Sequence, residues 1–147
     1  MKQKLLYLAA FGLLAAGGLI YLIYRPTTLL LFRIIDAAGL DGLVGQWRKA
    51  MQPSGLSDFT VYCLPNGLWA GAFVLAIHGA YANRPAATRL AWAAVIPAVG
   101  VISELLQVVG IVPGTPDWGD ALCYAVPYLI YILYICITKN HSEYEHQ

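Results

Sequence analysis

The sequence predicts an all-α fold, an integral membrane bundle of about four transmembrane helices plus one interfacial or re-entrant amphipathic helix. Of its 147 residues, 59% are hydrophobic and 12% charged, where ordinary soluble domains carry about 25% charged residues. The apolar residues collect into four runs long enough, at ~1.5 Å per residue, to reach across a hydrocarbon core of ~30 Å. Short breaks rich in Pro, Gly, Asn and Asp separate the runs. No internal repeat and no second domain interrupts the pattern, so residues 1–147 read as a single membrane domain.

The first run, residues 5–24, follows Lys2 and Lys4 and ends at Arg25-Pro26. Its length exceeds the ~7–15 apolar residues of a signal peptide, which predicts an uncleaved anchor. Gly12 and Ala16 stand four apart, the spacing that lets membrane helices approach closely. Residues 27–51 are apolar but carry Arg33, Asp36, Asp41, Arg48 and Lys49, which suits an interfacial or re-entrant segment. Arg33 and Asp36 share a helical face and can pair.

After the break "MQPSGLSD", residues 59–80 read as the second span, interrupted early by Pro65-Asn66-Gly67, with Gly67 and Gly71 as a small-residue contact. The third span is expected over residues 90–112, with Pro97 and Gly100 as a bend point. "PGTPDWGD" makes a tight loop, the fourth span covers residues 121–138, and a polar tail follows at 139–147. Four spans put both termini on one face. That face holds Lys2, Lys4, Arg84, Arg89 and Lys139 against Arg25, Arg33, Arg48 and Lys49 on the other, and the basic N-terminus favours cytoplasmic ends.

A net charge of +1, from nine basic and eight acidic residues, provides no field for nucleic acid. Cys63, Cys123 and Cys136 lie in apolar stretches without metal-ligand spacing and read as small buried hydrophobes.

The acids are the anomaly. An ionised carboxylate at the centre of a membrane helix costs about 2.5–3.5 kcal/mol on insertion scales, so each needs a partner or a task. Antiparallel neighbours bring the start of span two (Asp58, Asn66), the end of span three (Glu104, Gln107) and the start of span four (Asp117, Asp120) to one leaflet. Pro97, Gly100, Glu104 and Gln107 fall on one helical face, as do Asp58, Tyr62 and Asn66. Two such stripes read as the walls of a pocket that Arg33 and Asp36 can cover, while His78 sits near the opposite face. Asp117, Asp120 and Asp58 each have a capping explanation at a helix start. Glu104 has none and must be protonated, paired or used. Packing and interfacial anchoring account for Tyr124, Tyr128, Tyr131 and Tyr134. His141, Glu143, Glu145 and His146 fall in the tail, expected to be solvated.

"SELLQ", a Pro/Gly loop, and an Asp heading the next apolar helix resemble the VanZ-like membrane proteins over residues 57–130. Glu104, Gln107 and Asp120 match that family's Glu-x-x-Gln and Asp-led motifs, and Asp58 matches the start of its Asp-Lys-x-x-His motif. Tyr62 stands where that motif has His, no Arg lies between Gln107 and Asp120, and Tyr124 and Pro127 replace the family's Asn and Gly. The resemblance implies a place in the bacterial plasma membrane and a link to the cell envelope and glycopeptide (teicoplanin) resistance. It implies no particular reaction.

The leading expectation is therefore a pocket that recognises the polar head of a cell-envelope amphiphile, such as a lipid-linked precursor or a glycopeptide. Its ligand-binding residues would be Asp58, Tyr62, Asn66, Glu104, Gln107, Asp117, Asp120 and Arg33, with no cofactor. A phosphate would need Arg33, Arg25 or a bridging ion for charge balance. An alternative is an intramembrane enzyme in which Glu104, Asp117 and Asp120 hold Mg²⁺ or Mn²⁺ or act as acid and base, although no known nucleophile, zinc, protease or phosphatase signature supports it. A third is proton-linked transport by an oligomer, which needs polar groups through the membrane depth, where only His78 represents the far side. Membrane lipids are the remaining expected partners.

Overall fold

The computed structural model describes residues 2–51 and 55–144. The chain forms α1 (Lys2–Tyr24), α2 (Leu30–Ala37), α3 (Asp41–Met51), a π-helical turn (Phe59–Cys63) running into α4 (Leu64–Ala80), α5 (Ala86–Ala93), α6 (Val95–Val108) and α7 (Trp118–Tyr144). Four stretches are long and apolar enough to cross a membrane: Gln3–Tyr24, Phe59–Ala80, Ala86–Val108 and Trp118–Thr138. The all-α multi-pass architecture is thus the one the hydropathy runs predict.

Helix α4 sits at the centre, with α1 against one side and α7 against the other, and α6 packs on α7. Small residues make the close approach possible. A Cβ on Gly67 would lie 3.2 Å from the Cys123 carbonyl oxygen, and one on Gly71 would meet Pro127 and Leu13 at ordinary contact distance, so the expected Gly67/Gly71 contact faces α1 and α7. The expected Gly12 contact is not made, for nothing lies within 4 Å of a Cβ there. The α1–α4 approach occurs at Gly17 instead, where the Trp69 indole fills the space of a side chain and its Nε1 donates to the Leu14 carbonyl at 3.3 Å.

Prolines and glycines set the remaining boundaries. Pro65 has no N–H to donate, and its ring crowds the carbonyl four residues back; the preceding turn widens, and the Leu64 N–H bonds Phe59 O. Pro97 acts likewise on Ala93, and the helix breaks at Ala94 between α5 and α6. This span begins at Ala86 and ends at Val108, earlier at both ends than the expected 90–112. Gly110, at φ 73°, accounts for the early stop. Its N–H bonds Gln107 O at 3.1 Å and the Ile111 N–H bonds Leu106 O at 2.9 Å, the paired bonds of a Schellman motif. Helix α7 starts at Trp118 and continues to Tyr144, so the backbone of the expected polar tail is helical over that length. The side chains of His141, Glu143, Glu145 and His146 lie outside the described residues.

The segment 27–51 is two amphipathic helices rather than one. Gly39, at φ 69°, ends α2 with the same pair of bonds, Gly39 N–H to Asp36 O and Leu40 N–H to Ile35 O. The chain then folds back so that α3 packs on the end of α1, where Arg48 donates to the Leu22 carbonyl at 2.6 Å and its guanidinium covers the Phe32 ring.

Candidate functional site

The site is assembled by the way α6 stops. After the Gly110 turn the loop doubles back over the helix, and Gly114, at φ 146°, lies so close to Gln107 that a Cβ would come within 2.6 Å of its Oε1. The loop delivers Asp117 to the head of α7, where its Oδ1 accepts the Gly119 N–H at 2.7 Å. Asp117 is the helix cap that its position suggested.

Three residues on, Asp120 stands where an acid ordinarily reaches back to the N–H of the capping residue. It does not do so. Glu104, 8% exposed, has taken that N–H: its Oε2 accepts from Asp117 N at 3.1 Å, while Oε1 faces the Gln107 amide nitrogen at 3.5 Å. Asp120 is left with Oδ1 buried and without a partner.

The π turn supplies the opposite wall. Ser57, not Asp58, caps it: Ser57 Oγ accepts the Thr60 N–H at 3.3 Å, whereas Asp58 makes no cap bond and is exposed. At the end of the turn the buried Cys63 Sγ faces Asp117 Oδ2 at 3.7 Å. Gly119 leaves room for the sulfur, since a Cβ there would sit 2.8 Å from it. The Cys63 sulfur and one oxygen from each of Asp117 and Asp120 all lie within 4.8 Å of one another. Asn66 is buried as well, but its amide turns along its own helix to Tyr62 O at 3.4 Å.

Two further residues complete the cluster. The Arg25 guanidinium, at the end of α1, lies 4.9 Å from the centre of the Tyr62 ring and 5.3 Å from that of Tyr21, and its Nε is buried without a partner. Tyr124 fits against Gly100, where any side chain would overlap its ring.

Of the residues marked in the sequence, Glu104, Gln107, Asp117 and Asp120 come together, with Asn66 and Tyr62 on the adjoining turn. Glu104 and Asn66 are buried in this arrangement, and Asp117 and Tyr62 stand at its exposed rim. Arg33 does not cover it. Helix α2 touches only α3 among the described helices, and Arg33 lines a separate cavity of about 280 Å³ with Asp36, Asp41 and Arg48. The fold-back at Gly39 is the reason, since it docks α3 on α1 and keeps α2 away from α6 and α7. Glu104 meets Asp117 at its backbone N–H, while the side-chain atoms that lie within 4.8 Å of one another are those of Cys63, Asp117 and Asp120.

Sequence reasoning missed Cys63 and Tyr124 as members and named Arg25 only as charge balance for a phosphate. Arg25 was findable, for it ends span one on the same leaflet side, and Tyr124 lies one helical turn after Asp120. Cys63 carried no signal beyond its position beside Tyr62. No family model, no curated protein and no solved structure matches the chain.

Proposed function

We propose that this is a small multi-pass protein of the bacterial plasma membrane that binds the polar head of a cell-envelope amphiphile at the Glu104–Asp120 cluster. The ligand class is a lipid-linked precursor or a glycopeptide such as teicoplanin, as the resemblance to VanZ-like proteins implies. The observation that carries this reading is the convergence of Glu104, Gln107, Asp117 and Asp120 at one membrane edge, with Asp120 Oδ1 a buried acceptor that has no hydrogen-bond partner. Leaving such a group unpaired costs about 1–3 kcal/mol. A sugar or peptide head carries donors for the acids, with the exposed Asp117 and Tyr62 at the rim where it would arrive.

Native mass spectrometry of the protein gently extracted from bacterial membranes tests this, with wild type beside Asp120→Asn and Glu104→Gln. A glycan- or peptide-bearing amphiphile is expected on the wild type and depleted on both variants. Wild-type protein carrying only bulk phospholipid sinks the proposal.

A second reading is an intramembrane enzyme in which Glu104, Asp117 and Asp120 act as acid and base or as oxygen ligands of a divalent ion; Asp117 and Asp120 each place an oxygen within 4.8 Å of the other. On that reading the cluster is an intramembrane metal site supporting hydrolysis or transfer. Saturable Mn²⁺ binding that disappears in Asp117→Asn would favour it over head recognition.

A further inference from the structure

The hairpin of α2 and α3 turns its charges inward. Arg33 and Asp36 stand three apart on α2, Asp41, Gly45 and Arg48 share one face of α3, and all five line the cavity of about 280 Å³ between the two helices. Leu30 and Ile34 of α2 and Leu43 and Trp47 of α3, a turn apart on each helix, are exposed instead. A helix pair in water buries such apolar stripes against its neighbour. This one leaves them outside, which suits a hairpin set among lipids at the boundary of head groups and acyl chains.

Arg48 fixes the depth of the cavity. Its Nη1 donates to the Leu22 carbonyl at 2.6 Å, an oxygen of the last turn of α1, where carbonyls have no intrahelical donor. The first span ends at Tyr24, and Thr27, just beyond that end, also lines the cavity. The cavity therefore lies where the chain leaves the hydrocarbon, level with the lipid head groups. Its charges are not spent on one another: the side chains of Arg33, Asp36 and Asp41 make no hydrogen bond or ion pair among the described residues. The pairing of Arg33 with Asp36 that their spacing allows is not made.

The geometry points to a binding site for the head of phosphatidylethanolamine, with its phosphate at Arg33 and Arg48 and its ammonium at Asp36 and Asp41. Two cations and two anions around one small space call for a ligand that carries both signs. Guanidinium groups match phosphate oxygens through directed hydrogen bonds, and a primary ammonium brings three N–H donors to the carboxylates. A choline head has the same charges but no N–H to give. It is held by open aromatic faces, and the ring that lines this cavity, Phe32, is covered by the Arg48 guanidinium. A glycerol head supplies no cation for the two aspartates. Helix α2 touches only α3 among the described helices, so the site is separate from the Glu104–Asp120 cluster and stands whether or not that cluster binds an amphiphile.

The test is native mass spectrometry of the full chain released from mixed micelles containing equal amounts of dioleoyl phosphatidylethanolamine, phosphatidylcholine and phosphatidylglycerol. Wild type is expected to retain the ethanolamine lipid over each of the others by about three-fold, the scale of one exposed ion pair. The double variant Asp36→Asn, Asp41→Asn is expected to lose the preference over the choline lipid, and Asp36→Glu to keep it. Arg33→Gln is expected to lower retention of all three lipids. Gly45→Trp, at a cavity-lining position with open space around it, is expected to remove the preference by filling the cavity. Asp120→Asn, in the other site, is expected to leave it intact. Equal retention of the ethanolamine and choline lipids by wild type, a preference for the glycerol lipid, a preference that survives the double variant, or one that is lost in Asp120→Asn would each overturn the assignment.

Discussion

Glu104 takes the backbone N–H of Asp117 at 3.1 Å, and this single bond decides what the neighbouring acids do. Replacing it with Ala strands a buried N–H and removes the acceptor facing Gln107, so Glu104→Ala is expected to destabilise the protein by about 1–3 kcal/mol. Glu104→Gln keeps an acceptor oxygen and is expected to lose less than half of that. Thermal unfolding in one detergent, followed by the fluorescence of a thiol-reactive dye, measures both; equal losses would mean that the bond contributes little. Glu104 was legible in the sequence because a carboxyl deep in an apolar run has no local excuse. Asp117 was legible as a helix cap. That Asp120 is excluded from its own capping arrangement was not, because the exclusion depends on a side chain from another helix. The capping explanation for Asp58 fails for a local reason: Ser57 next to it is the better-placed acceptor.

At the scale of elements, glycines divide into those that admit a neighbour and those that do not. Gly100 belongs to the first kind, since a methyl group there would occupy the Tyr124 ring. Overpacking of this sort costs about 1–3 kcal/mol, so Gly100→Ala is expected to lower the thermal midpoint clearly and to disturb the α6–α7 contact that holds Glu104 against Asp117. Gly12 is of the second kind, with open space around it, and Gly12→Ala is expected to leave the midpoint unchanged or raised. Similar midpoints for these two variants would argue against the close α6–α7 packing. Run length and hydropathy made the four spans readable. The split of residues 27–51 at Gly39, the stop at Gly110 and the use of Gly17 rather than Gly12 were not readable. All three depend on backbone conformation or on which face of a helix meets a partner, and composition records neither.

For the whole molecule, the arrangement of spans ties together loops that are far apart in sequence. The start of α1, the α4–α5 connection and the end of the fourth span share one edge, and the α6–α7 loop occupies the other. Basic residues number five at the first edge (Lys2, Lys4, Arg84, Arg89, Lys139) and four at the second (Arg25, Arg33, Arg48, Lys49), so the positive-inside rule is nearly balanced and the first span carries particular weight. With Lys2 and Lys4 ahead of that span, the N-terminal edge is expected in the cytoplasm. Reporters active only in the cytoplasm should then function when inserted at residue 83 or fused at the C-terminus, and reporters active only outside should function at residue 114. Replacing Lys2 and Lys4 by Gln reduces the count to three against four, which is expected to produce a mixed or inverted population. An unchanged orientation would place the determinant at Arg84 and Arg89, and reporters at residue 83 and the C-terminus on opposite sides would contradict the four-span fold. The orientation also sets which compartment each end of the bundle meets: with the N-terminal edge inside, the Glu104–Asp120 cluster lies on the side away from the cytoplasm and His78 lies toward the cytoplasmic face.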